Sequence, residues 1–272
     1  MKPVPVLIVT GDGLNCERET AYAFQIAGAE PRLVHISDLL SGRTKLADYQ
    51  ILAFVGGFSN GDHLGAGTVQ ASRFRLQLRD ELEHFAAAKK AMIGICNGFQ
   101  TLVKLGMLPG PAKGAAAGGW TQTATITAND SGRFEDRWVH LLMNPSSPCV
   151  WTQGLKRLFL PVRHGEGKFF TDRPELLGEL ERSGRIVARY SDAACREAVM
   201  TYPENPAGSL GAVAGLCDAG GTVFGLMPHP EAYISPYSHP TWTRVRALGG
   251  ELPCLGEGAE IFIRGVAYAR GS

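Results

Sequence analysis

The segment AMIGICNGFQTLVKLG, residues 91–106, sets one cysteine, Cys96, at a strand-to-helix corner. Residues 91–95 are small and apolar, as a buried strand of a parallel sheet should be. From Asn97 the spacing turns helical, with Phe99, Leu102 and Val103 on one face. Between them, Gly94-Ile95-Cys96-Asn97-Gly98 is a cysteine version of the G-x-S-x-G nucleophile elbow. Its glycines remove steric obstruction, and the following helix aims its amides and positive dipole end at the sulfur, favouring thiolate. Such a thiolate attacks acyl carbons. The bland alternative is an inert cysteine packed at a strand end.

A cysteine nucleophile needs a base, and the base needs an orienting group. Of seven histidines, His229 has the best context, because Pro230 forces it into extended backbone. Residues i and i+2 of an extended stretch project to one side, so His229 and Glu231 are expected to share a side. A carboxylate placed there fixes the imidazole tautomer and stabilises the imidazolium. The third piece is Gly56-Gly57-Phe58-Ser59-Asn60-Gly61-Asp62. It lacks a P-loop lysine and the spacing of a dinucleotide fingerprint. It suits an oxyanion role instead: Asn97 supplies one amide and Gly57 an unobstructed second. The corner alone leaves several cysteine chemistries open. Peptidase-like and glyoxalase-like relatives take their histidine from just after the cysteine, where this chain has Asn97. A catalytically silent binding subunit is the rival from another class, and an intact triad speaks against it.

These residues need a scaffold that brings strand ends together. Strands are predicted at residues 4–10, 32–36 and 51–55, with a helix at 17–27 and a long amphipathic helix at 68–90, whose stripe is Ala71, Phe74, Leu78, Leu82 and Phe85. Alternation of this kind means right-handed crossovers and a doubly wound parallel sheet, with ligands beyond the strands' carboxyl ends. After a Pro/Gly/Ala linker at 109–119 the pattern changes. Segments 121–127, 137–143 and 156–162 read as antiparallel strands, 174–182 as a short helix, and 186–190, 211–215 and 222–226 as further strands. A helix is expected at 260–269. The chain reads as a single domain over 1–272 with a C-terminal extension at about 232–272.

Bulk properties exclude several classes. Hydrophobic residues make up 44% and charged residues 19% of the 272 residues, as in ordinary soluble globular proteins. A formal net charge of +1 gives no electrostatic footprint for nucleic acid. No apolar run reaches transmembrane length, and MKPVPVLIVTGDG does not read as a signal peptide. Six scattered cysteines without C-x-x-C form neither a zinc pattern nor a disulfide framework, so a cytoplasmic, reduced setting is expected. Cys16, Cys149, Cys195, Cys217 and Cys254 lack elbow context and are read as structural.

GGFSNGDHLGAG, GICNGFQTL, HGEG and MPHPE, in this order, resemble the family of glutamine amidotransferase subunits of phosphoribosylformylglycinamidine synthase. GLNCERET and NPAGS add to the likeness, which runs from about residue 4 to about residue 235. The resemblance implies an α/β class I glutamine amidotransferase fold, flavodoxin-like and three-layered, with a mixed, mainly parallel central sheet. It implies that Cys96 is nucleophile with His229 and Glu231 as partners, that Gly57 and Asn97 hold the oxyanion, and that Gln100 lies near the glutamine site. It further implies L-glutamine as substrate, no cofactor or metal in this chain, and ammonia passed to a separate synthetase that uses ATP and Mg, with a small helper subunit as third member. Where the family usually reads GGFSYGDYLRAG, this chain has Asn60, His63 and Gly65. His63 is read as a loop-surface residue, His164 to Gly167 as either a functional loop or a hairpin turn, and Asn205 to Ser209 as turn chemistry.

Overall fold

The computed structural model describes residues 3–111 and 120–271, so most of the expected linker at 109–119 lies outside the described residues. The first half alternates as expected: β1 (Pro5–Thr10), α1 (Glu17–Ile26), β2 (Glu30–His35), α2 (Ile36–Leu40), β3 (Ile51–Phe54), α3 (Thr68–Gln77), α4 (Arg79–Ala87), β4 (Ala91–Ile95) and α5 (Asn97–Leu105). The second half comprises β5 (Thr125–Ala128), β6 (Glu135–Met143), β7 (Arg157–His164), β8 (Glu166–Phe170), α6 (Leu176–Arg182), β9 (Ile186–Ser191), β10 (Val213–Cys217), β11 (Val223–Leu226), α7 (Trp242–Ala247) and α8 (Ala259–Arg270).

One mixed sheet runs in the order β2-β1-β3-β4-β11-β10-β9-β6-β7, and β5 and β8 form a separate ribbon. The first five strands are mutually parallel, and β10, β9, β6 and β7 continue by antiparallel pairing. β3, β4 and β11 are adjacent and buried along their whole length, which is why their sequences are continuous apolar runs. No helix among the described residues is long and apolar enough to cross a membrane.

Three expectations change. The helix foreseen over 68–90 is two helices, broken at Leu78 (φ −129°, ψ 14°). The break keeps the stripe: Ala71, Phe74, Leu78, Leu82 and Phe85 all remain buried. It frees α3 to pack on α5, where Thr101 Oγ1 donates to Gln70 Oε1 (3.0 Å). The strand foreseen at 211–215 starts at Val213, because Gly211 (φ +62°) and Ala212 (φ +54°) form a tight turn. His164 to Gly167 is not a hairpin: β7 pairs with β6 and β8 with β5, so Gly165 is the corner between two sheets. The tail packs on the core, with Ile261, Phe262 and Val266 buried. The Phe262 ring meets Phe24 of α1 edge-on at 5.0 Å.

Candidate active site

Cys96 stands where β4 turns into α5, at φ +51° and ψ −105°. A side-chain-bearing residue in that region stores strain of roughly 1–3 kcal/mol, which the surroundings must hold in place. The flanking glycines show how. A Cβ on Gly98 would lie 2.0 Å from the Phe54 carbonyl oxygen of β3, and one on Gly94 2.6 Å from the Gly98 carbonyl. The corner is tight because strand and helix backbones touch, and no larger residue fits either place. The Cys96 amide is fixed by Leu226 O of β11 (2.9 Å), and the thiol donates to Arg163 O (3.6 Å).

β11 pairs in register with β4, Leu226 opposite Ile95, so the chain leaving β11 passes directly beside the elbow. His229 adopts extended backbone (φ −102°, ψ 92°), as a residue before proline should. Its amide donates to Pro161 O (2.8 Å). His229 Nδ1 and Glu231 Oε1 are 2.6 Å apart, both side chains buried. The pair meets for a reason other than extended alternation, since Pro230–Ala232 is a single helical turn. His229 Nε2 has no hydrogen-bond partner among the described residues. Burial by itself would lower the imidazole's pKa, but the Glu231 carboxylate and Cys96 outweigh it and hold it well above the ordinary histidine value. The arrangement can therefore keep an imidazolium beside a cysteine sulfur in a nearly dry place.

The loop after β3 is clasped to the loop after β1 by Asn15 N–H to Gly56 O (3.3 Å) and Phe58 N–H to Gly13 O (2.7 Å). This bridge does not use the Gly57 amide. Gly57 has φ +137°, and a Cβ there would sit 2.7 Å from Leu14 Cα, so glycine is required. The Asn97 amide opens α5 and has no intrahelical acceptor. Two amides are thus available for a developing oxyanion.

Asn97 and Gln100 join a polar network. Asn97 Nδ2 donates to Asp62 Oδ1 and to Gln100 Oε1, both at 3.1 Å. Gln100 Nε2 donates to Glu166 O (2.5 Å), and the Glu166 carboxylate accepts from the Ala66 amide. Burial and the Glu166 charge push the Asp62 carboxyl up to about 6, against the Asn97 hydrogen bond. At Gly65, a Cβ would stand 3.8 Å from both Glu166 Oε2 and Lys104 Nζ. The Glu166 charge acts on the Lys104 ammonium, against the burial that lowers its pKa.

Sequence reasoning missed Cys16 and the Asp62 and Glu166 side chains. Cys16 is buried against the triad: its Sγ and His229 Cε1 lie 3.1 and 2.8 Å from where a Gly56 Cβ would be. Burial raises its thiol pKa. The signal was available, because Cys16 follows a parallel strand as Gly56 and Cys96 do. Cys16, His229 and Glu231 each bring one donor atom within 4.8 Å of the others. The 2.6 Å between imidazole and carboxylate is a hydrogen bond; two ligands of one tetrahedral zinc stand about 3.3 Å apart. His63 is exposed. His164 is buried and bonded to Asn129 Oδ1 (3.0 Å), and burial with the His229 charge lowers its pKa to about 3. Asn205 bonds its own loop at Met200 O and Ser209, which is turn chemistry.

A strained cysteine at a strand end, a histidine–carboxylate pair beside it and two free amides on a mixed, mainly parallel sheet define an amidotransferase of class I type. Residues 3–269 match the family model of the CobB/CobQ-like glutamine amidotransferase domain, and the chain belongs to that family. It is 46% identical over 270 residues to the phosphoribosylformylglycinamidine synthase subunit PurQ of Dehalococcoides mccartyi, covering 99% of each chain. Among solved structures it is similar to PurLQS from Thermotoga maritima, with a TM-score of 0.67, 27% identity, and 98% and 99% of the two chains covered. A glutamine amidotransferase from Thermotoga maritima shares the fold over all of both chains, with a TM-score of 0.53 at 16% identity.

Proposed function

We propose that this chain is the glutaminase subunit of phosphoribosylformylglycinamidine synthase, with Cys96 as its nucleophile. The observation that carries the reading is the register of β4 and β11, which delivers Cys96 and the His229–Glu231 pair to one place. The Cys96 sulfur attacks the carboxamide carbon of glutamine, and the amides of Gly57 and Asn97 receive the negative charge on oxygen. One such donor is worth roughly 2.7–4 kcal/mol. The C–N bond then breaks, with His229 giving its proton to the departing ammonia. The neutral imidazole next takes a proton from water, which hydrolyses the γ-glutamyl thioester and returns the sulfur. Glu231 holds the ring and stabilises its charged form.

Ammonia passes to the synthetase subunit, which activates formylglycinamide ribonucleotide with ATP and Mg and converts it to formylglycinamidine ribonucleotide in purine synthesis. A small helper subunit completes the complex. On this reading the chain needs no cofactor of its own and works in the cytoplasm. It acts as one domain, with residues 232–272 extending it.

The test is to assemble the chain with its synthetase and compare glutamine with ammonium as nitrogen donor. Cys96→Ala is expected to abolish the glutamine-dependent reaction and spare the ammonium-dependent one. Equal loss of both would overturn the division of labour.

A further inference from the structure

The imidazole of His229 meets more than its carboxylate. Cys16, the residue before α1, is buried and its backbone is fixed on both sides. Its amide donates to Gly56 O (3.3 Å), and its carbonyl accepts from the Thr20 amide (3.2 Å) and from Thr20 Oγ1 (2.6 Å). Further along, α1 rests on α8 through Phe24 and Phe262. The Cys16 thiol donates to Asn15 Oδ1 (3.4 Å), which turns the sulfur's lone pairs to other neighbours. Gly56 shows which neighbours these are. A Cβ on Gly56 would stand 2.8 Å from His229 Cε1, 3.1 Å from Cys16 Sγ and 3.4 Å from His229 Nδ1. The ring edge and the sulfur thus share the space that glycine leaves open. Cys16 Sγ, a ring nitrogen of His229 and a carboxylate oxygen of Glu231 all lie within 4.8 Å of one another.

A second nucleophile is the wrong reading of this thiol. Cys16 has ordinary backbone (φ −104°, ψ 18°) rather than an elbow. Burial, with the Glu231 and Glu19 charges acting the same way, raises its pKa and keeps it a neutral thiol. Its contact with the ring is what remains. Glu231 grips the ring at Nδ1 alone, and Nε2 has no hydrogen-bond partner among the described residues. One hydrogen bond leaves an imidazole free to tilt about the bonded nitrogen. A soft, polarizable sulfur packed on the Cε1 edge, between the two nitrogens, opposes that tilt. It also favours the charged ring, as a weak acceptor facing a cation does. The groups facing the ring are Glu231, Cys96, Cys16 and His164. His164, with a pKa of about 3, is neutral there.

We infer that Cys16 is a positioning residue of the glutaminase reaction, its sulfur being the wall that holds the His229 ring so that Nε2 is presented to Cys96 and to the departing ammonia. This rests on the reading of Cys96 as a glutamine-directed nucleophile. Cys16 acts through His229 and touches neither glutamine nor the bond that breaks. Its contribution is to chemistry rather than to substrate binding, and to the ring's hold on its proton.

The experiment compares wild type, Cys16→Ala and Cys16→Ser by two readouts. In the complex assembled with the synthetase, glutamine-dependent kcat and KM are measured across pH. In the chain alone, NMR follows the titration of the His229 ring protons. Cys16→Ala is expected to lower kcat roughly 10- to 100-fold, the cost of a misplaced catalytic group, with little change in KM and none in the ammonium-dependent rate. Its His229 titration should fall by roughly 0.5–1 pH unit, the size of one weak hydrogen bond. The alkaline limb of kcat/KM, which reports loss of the imidazolium proton, should move to lower pH with it. Cys16→Ser, whose smaller oxygen reaches less far, should fall between the two in both readouts. An unchanged kcat and titration in Cys16→Ala would overturn the assignment. Equal losses of kcat in both variants with the His229 titration unmoved would mean a purely structural role and overturn it too. If Cys16→Ala fails to fold, Cys16→Ser decides, and wild-type kcat and titration there overturn it. A wild-type complex inert toward glutamine would instead overturn the reading of Cys96, while the ring titration, which needs no glutamine, still tests the contact.

Discussion

Asp62→Asn should stabilise the fold. The Asp62 carboxyl titrates at about 6 rather than 3.8, first because it is partly buried and second because Glu166 faces it. Between those values the folded chain keeps a proton that the unfolded chain has released. Stability contributed by the protonated form is therefore complete below about pH 3.8, and it is lost as pH rises through about 6. Taken whole, the difference is about 3 kcal/mol. Asp62 is only half-buried, and solvent screening brings the effect to about 1 kcal/mol. Asparagine removes the charge, keeps an oxygen for the Asn97 donor, and tolerates the left-handed backbone at this position. At about pH 8 the variant should melt roughly 2–4 °C above wild type, the shift expected for a chain of this size. Near pH 5 the gap should narrow, because folded Asp62 is then largely protonated in wild type. Thermal unfolding followed by circular dichroism at the two pH values reads this directly. A variant no more stable at pH 8, or a gap that does not depend on pH, would refute the account of two opposed carboxylates.

Two other perturbations address the triad. Glu231→Gln should lower glutamine-dependent turnover roughly 10²- to 10⁴-fold. It should also move the His229 titration to lower pH, because the carboxylate that outweighs burial is gone; NMR of the ring protons measures the second effect. Cys96→Gly and Cys96→Ala should both abolish thioester formation, yet the glycine variant should be the more stable by about 1 kcal/mol or more, since it relieves the strain at φ +51°. Urea unfolding compares the two, and equal stabilities would show that the corner is unstrained.

Much of the scaffold was legible because buried parallel strands leave continuous apolar runs and proline leaves a local mark. β1, β3, β4 and β11 appear within a residue or two of where the pattern places them, and His229 is extended as Pro230 requires. The break at Leu78 was not legible, because the stripe from Ala71 to Phe85 continues across it. The pairing of His229 with Glu231 was anticipated on the wrong geometry, a local turn having replaced extended alternation. The approach of Asp62 and Glu166 was invisible for a different reason. Charged residues in a Gly-rich loop and at a strand start look solvated, and only the tertiary approach of β8 to α5 shows that they face each other. Cys16 was passed over because it lacks an elbow, although its place after β1 brings it against the same imidazole.

The order of strands has a consequence for how the protein comes into being. β11 fills the slot between β4 and β10 in the middle of the sheet, and it leads to His229, 133 residues after Cys96 (229 − 96). At roughly 5–20 residues per second, a ribosome needs about 7–27 s to travel from one to the other. Throughout that interval Cys96 has no His229 beside it, and β4 offers an open edge to whatever strand arrives. The insertion that closes the sheet is thus also the event that brings His229 to Cys96.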